Sequence, residues 1–212
     1  MYLRRLYSGS KDAVRGHLLS LDPEARRLRF FSPVGDHAIN AYVDNIDWDR
    51  AVLFGAYVGG RLLGLSELVM LPDGVSAEAA LSVDATCRGK GVGVALLRRA
   101  ITHARNRGYD SIKLTAMVEN RRLHNLVGRY PHQSRAEDGC VDHTIDVMPT
   151  TVQTLAEEMI EETVAGFNGL AYDIASAIDT AWAATGIEVD TAALFAPAET
   201  MLDALAAARR PR

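Results

Sequence analysis

The chain has 212 residues, 48% of them hydrophobic, and a formal net charge of −4, enough for one core-forming domain and an appendage. No apolar run approaches the roughly eighteen residues of a membrane span, and the start, MYLRRLYSGSKD, lacks the apolar stretch of a signal peptide. Residues 1–135 carry twenty basic and thirteen acidic side chains, against three basic and fourteen acidic in 136–212; the first part suits a small anionic ligand, but its excess is too modest, and too poor in interleaved aromatics, to point to nucleic acid.

In chain order, Tyr2 to Tyr7 reads as a strand, and Ser10 or Asp12 caps a helix running to about Leu19. Asp22-Pro23-Glu24 is a second helix start, with Asp as cap and Pro in the first turn; the helix PEARRLRFF would carry Leu28, Phe30 and Phe31 inward. A third helical piece, HAINAYVDNI, follows Pro33 and Gly35. AVLFGAYV (51–58), Gly59-Gly60 and RLLGLSELVML (61–71) form a hairpin, and Pro72-Asp73-Gly74 turns into VSAEAALSV (75–83). Glu67 and Glu78 are carboxylates in otherwise apolar strands. Strand alternation assigns Glu67 to solvent.

Leu81 to Val83 then runs through glycines into an amphipathic helix, whose apolar positions Val94, Leu97, Ala100, Ile101 and Ala104 repeat at helical spacing. Arg98, Arg99, Arg105 and Arg107 lie mostly outside that stripe. Such a junction collects unpaired N–H groups at the positive end of a helix, which favours a phosphate. The glycines permit positive φ and close approach of backbone to a ligand; a plain tight turn is the other reading. Neither G-x-x-x-x-G-K-[ST] nor G-x-G-x-x-G is present. SIKLTAMV (111–118) lies parallel to 75–83 through a right-handed crossover. Glu137-Asp138-Gly139 turns between two last short strands, the second CVDHTIDV (140–147). Cys87 and Cys140 fall in no metal-ligand spacing, nor do His124, His132 and His143; the thiols read as reduced ones of a cytoplasmic protein, and no metal is expected.

The hexapeptide Arg88-Gly89-Lys90-Gly91-Val92-Gly93 is followed in order by GVALLRRAITHARNRGY, SIKLTAMV and Glu119-Asn120-Arg121-Arg122-Leu123-His124. That succession resembles the acetyl-CoA site of the GNAT superfamily of N-acetyltransferases, over roughly residues 2–148. PEARRLRFFS and Ala77-Glu78-Ala79-Ala80 are further similar to the GNAT domains of bacterial protein-lysine acetyltransferases. The resemblance implies an α+β (αβα) fold with a mixed, mostly antiparallel twisted sheet flanked by helices. It also implies that Arg88, Gly89, Lys90, Gly91, Val92 and Gly93 hold the diphosphate of acetyl-CoA. Leu81, Ser82 and Val83 would pair through their backbone with the pantetheine arm and polarise the thioester carbonyl, and Asn120 would contact CoA. The early helical region would wall the acceptor site.

By the same resemblance Glu78 is the general base. An acceptor amine with a pKa of about 10.4 is protonated at neutral pH and must lose a proton before it can attack a thioester. Val127 stands where many members carry a tyrosine that protonates the leaving thiolate. Either Tyr130, one helical turn on, replaces it, or no acid is needed, because a thiol pKa near 8.5 already makes a tolerable leaving group. The implied reaction is direct attack by a primary amine, from a protein lysine or a small molecule, on acetyl-CoA. A CoA-binding regulatory module without catalysis is the alternative, and Glu78 argues against it.

Met148-Pro149-Thr150 is the expected boundary between a catalytic part, 1–148, and an acidic helical extension, 149–212. Three helices with acidic outer faces are expected: TTVQTLAEEMIEETVAGF, GLAYDIASAIDTAWAATG and one near PAETMLDALAAARR. They should dock on the catalytic part, form a homodimer, or both. Acting as a lid over a basic acceptor cleft is a sharper alternative.

Overall fold

Gly59 and Gly60 both adopt positive φ and close the predicted hairpin between β2 (Ala51–Val58) and β3 (Arg61–Met70). The computed structural model describes residues 1–183. Around the hairpin lie β1 (Tyr2–Leu6), β4 (Ser76–Val83), β5 (Ser111–Met117), β6 (His132–Glu137) and β7 (Cys140–Asp146). One sheet orders them β1-β2-β3-β4-β5-β7-β6, and every pair is antiparallel except β4 with β5.

Helices α1 (Lys11–Ser20), α2 (Pro23–Phe30) and α3 (Asp36–Asp44) connect β1 to β2. Val14, Leu18, Ile39 and Val43 pack there against Leu53 and Leu65. On the opposite face, α4 (Val92–Asn106) lays Leu97 and Ala104 on Ala77, Ile112 and Leu114, and Val92 and Leu96 on Phe54 and Ala56. Leu53 and Phe54 are adjacent yet serve opposite cores, as a strand's two-residue period requires. The close seat of α4 depends on Gly64 in β3, where a Cβ would fall 2.8 Å from Val92 and 3.0 Å from Leu96.

Asp22 caps α2 by accepting from the Ala25 amide at 2.8 Å, with Pro23 in the first turn. Two expectations about this region need correction. Phe31 does not turn inward: it ends α2 in the left-handed conformation, φ 60°, and is 42% exposed. Glu67 does not face water. Its register places it under α2 and α3, where Arg29 donates to it at 2.6 Å and Tyr42 donates as well, leaving it 6% exposed. Glu67 pairs with Leu53 and shares its face, which the helices between β1 and β2 cover. A buried carboxylate survives there because a guanidinium and a phenol satisfy it.

α5 (Arg121–Val127) follows β5, and α6 runs unbroken over Val152–Ala183, in place of two helices divided near Gly169. The third expected helix lies outside the described residues. Two compact units divide within α6, residues 1–163 and those from Val164 onward. In the first unit, the opening turns of α6 dock on α4. Glu158 is 5% exposed rather than solvent-facing, and accepts from His103 Nδ1 at 2.8 Å and from Asn106 at 2.7 Å. Burial pushes the Glu158 carboxyl up, but Asn106, His103 and Arg99 outweigh it and hold the group below its ordinary value. Burial keeps His103 low in turn, so a neutral imidazole donates to a carboxylate. Arg99, expected outside the apolar stripe, is 4% exposed: it stacks on Phe54 at 5.0 Å and meets Glu158, Glu161 and Glu162.

Two stability predictions follow from these buried groups. Glu67→Ala leaves Arg29 uncompensated and should cost about 3–5 kcal/mol in chemical denaturation, whereas the double change Arg29→Met with Glu67→Leu should recover most of that loss. His17, 2% exposed, is held by burial at about 4 instead of 6.5. Between those values the unfolded chain binds the proton and the folded one does not, so stability falls as pH drops through that window. The loss should reach about 3 kcal/mol by pH 4, and His17→Gln should remove that part of the slope.

Candidate active site

The parallel ladder between β4 and β5 lasts only from Ser76–Glu78 against Ser111–Lys113. Beyond it β4 stays paired with β3, β5 stays paired with β7, and the two strands part. One edge of Ala79–Val83 is left without a neighbouring strand and lines a cleft of about 790 Å3. The opposite wall comes from Thr115 and from Asn120, Leu123 and Leu126 at α5. Open backbone groups along a cleft wall need partners, and an extended ligand lying beside β4 supplies them.

At the cleft's end stands the glycine loop. Gly89 and Gly91 take φ of 75° and 82°, and Gly91 caps α4 with no side chain accepting from the first-turn amides. A Cβ at either glycine would meet nothing within 4 Å, so the left-handed backbone, not crowding, demands glycine. Gly93 has no positive φ, and a Cβ there would only touch Leu126 and Val83 at ordinary distance. The bare N–H groups and the positive end of a fifteen-residue helix face the cleft together.

The predicted residues gather here with three adjustments. Leu81, Ser82, Val83, Arg88, Gly89, Gly91, Val92, Gly93 and Asn120 all line the cleft, but Lys90 is exposed and outside the lining. The Ser82 hydroxyl turns away to His17 Nε2 at 2.8 Å, so the residue offers the cleft its backbone. Arg88 is already engaged: it pairs with Asp22 and donates to the Val83 carbonyl at 3.2 Å, bracing the loop against α2. Asn120 accepts from the Leu123 amide at 3.2 Å and thereby starts α5 at the cleft wall. Val127 is fully buried, and Tyr130 packs into the same cluster rather than the cleft lining, with burial raising its phenol.

Glu78 is exposed and lines both this cleft and a second groove of about 410 Å3. That groove runs over the face of β5, β7 and β6, past Lys113, Thr115 and Asp142. The register explains the arrangement: Glu78 pairs with Lys113, Lys113 with Thr144, and Thr144 with Gln133, so one polar row crosses the sheet. A carboxylate at the meeting point of two cavities can take a proton from a molecule in one while its neighbour lies in the other. Sequence reading missed Arg98, Arg122 and Arg129, which also line the main cleft; only their position on the helix faces toward it would have revealed them. Among the described residues no group of three or more His, Cys, Asp or Glu is placed to hold a metal, and no helix is long and apolar enough to cross a membrane.

Solved structures repeat this architecture at low identity. The GNAT domain of S. lividans PAT matches with a TM-score of 0.60 and 20% identity over 68% of this chain and 89% of its own. Spermidine N-acetyltransferase from Vibrio cholerae, solved with CoA and spermine, matches at 0.56 and 20% over 68% and 94%. Ribosomal-protein-alanine N-acetyltransferase from Brucella melitensis matches at 0.55 and 15% over 70% and 100%. Residues 21–129 match the Acetyltransferase (GNAT) family as a sequence. That span takes in α2, the diverging strands, the glycine loop and all of α5, so the chain belongs to the GNAT acetyltransferase family.

Proposed function

We propose that the protein transfers the acetyl group of acetyl-CoA to a primary amine by direct attack in a ternary complex. The observation that carries this reading is Glu78 at the junction of two cavities, one ending in bare helix amides and the other open to solvent. The cofactor's diphosphate belongs at the amides of Gly89–Gly93. Its pantetheine arm belongs beside Leu81–Val83 as an added strand. The thioester then lies near Glu78, and the backbone N–H groups of the open β4 edge are the donors for the carbonyl oxygen.

The acceptor enters along the polar groove. Its ammonium gives a proton to Glu78, directly or through water, and the free amine attacks the thioester carbonyl. The C–N bond forms as the C–S bond breaks, and the thiolate leaves without a tyrosine beside it, a reading supported by the burial of Val127 and the packing of Tyr130 against the same cluster. The exposed groove, with Lys113, Asp142 and Arg135 on its floor, suits an amine carried on a polar molecule or a protein surface. Spermine bound to the Vibrio protein and the protein alanine acceptor of the Brucella enzyme illustrate both kinds among fold relatives.

Glu78→Gln should lower kcat by about 10²–10³-fold across an amine and protein-lysine panel, while calorimetry shows CoA binding within twofold of the parent. Tight CoA binding with no acyl transfer to any amine or protein by the parent would replace the enzyme with a CoA-binding module.

A further inference from the structure

CoA carries a phosphate on its ribose as well as the diphosphate, and the loop amides account only for the latter. Two guanidinium groups stand beyond the loop. Arg98 lies on the second turn of α4, roughly 7.5 Å along the axis from Gly93, and Arg129 follows the C-terminal end of α5; both line the cleft. They belong to two different segments of the chain that border one cleft. Burial raises the phenol of Tyr130, and Arg98 and Arg129 both act against that rise, so the two charges share one neighbourhood.

Their partners differ from those of the structural arginine beside them. Arg99 is sealed among three glutamates and Phe54. The Arg98 side chain is 67% exposed and makes one ion pair among the described residues, from Nη2 to Glu161 of α6 at 3.1 Å, with the Glu161 side chain itself 30% exposed. An exposed single-point ion pair is weak and is screened by salt. Arg129 has no ion-pair or side-chain hydrogen-bond partner among the described residues. A phosphate offers a guanidinium two oxygens in a fork geometry, which a carboxylate shared with Arg99 does not match.

The geometry points to a phosphate-selective rim, in which Arg98 and Arg129 grip the ribose phosphate of the CoA nucleotide and Glu161 competes with it for Arg98. The inference rests on the acetyl-CoA reading above. It assigns the acidic start of α6 two roles: Glu158 clamps the helix to α4, while Glu161 releases Arg98 when the nucleotide arrives.

Titration calorimetry of the full chain with CoA and with dephospho-CoA, at low salt, tests this. The parent should bind CoA roughly tenfold more tightly than dephospho-CoA. Arg98→Gln and Arg129→Gln should each shrink that ratio severalfold and leave dephospho-CoA affinity within twofold. Glu161→Gln should tighten CoA by about two- to fivefold and leave dephospho-CoA unchanged. Equal affinity of the parent for both ligands, or arginine variants that weaken both in parallel, would overturn the rim; a Glu161→Gln variant that shifts neither ligand would overturn the competition. If neither ligand binds at all, the cofactor reading itself fails.

Discussion

Everything functional in this protein depends on two parallel strands that stop pairing. β4 and β5 share three register pairs and then separate, because β4 remains bound to β3 and β5 to β7. The right-handed twist of the sheet carries the two halves apart once the ladder is broken. The separation leaves a strand edge unpaired inside a walled cleft, where backbone polar groups have a strong demand for partners. A ligand with an amide-bearing extended arm meets that demand, and the helix that starts at the same cleft supplies amides for its phosphate end. The crossover helix α4 both joins the parting strands and presents its bare first turn between them.

Polar groups at the edges of the apolar cores hold that opening in place. Arg29, Glu67 and Tyr42 fasten α2 to β3, and Asp22 at the other end of α2 reaches Arg88 of the loop. Ser82 and His17 tie the last residues of β4 to α1. On the far side Glu158 joins His103 and Asn106, and Arg99 fills the space between α4 and α6. Buried ionic groups seldom add net stability over apolar ones of equal size, but they penalise any arrangement that separates the partners.

The division of labour along the opening is chemical as well. One end is built of backbone and glycine, which suit an anion without a titrating group. The other end is an exposed carboxylate bordering a groove of mixed charge. Under the proposed reaction, nucleotide and amine would reach the thioester from different directions, as attack in a ternary complex needs.

Local sequence was enough for most elements, their order and the glycine loop at the start of α4. Those features rest on local signals: Gly59-Gly60 at a hairpin, Asp22-Pro23 at a helix start, glycines where φ is positive, and a helix period in 92–106. Glu78 was singled out because its neighbours form a motif, and most of the other cleft-lining residues named from sequence sit in the continuous stretch 81–93. Tertiary structure decided what no local pattern encodes. It buried Glu67 by placing α2 and α3 over it, turned Arg99 and His103 inward by docking α6 on α4, and brought Arg98 of α4 and Arg129 beyond α5 to the lining of one cleft. Strand alternation and helical periodicity name a face, but which faces are covered, and by what, is settled only when elements distant in the chain pack together.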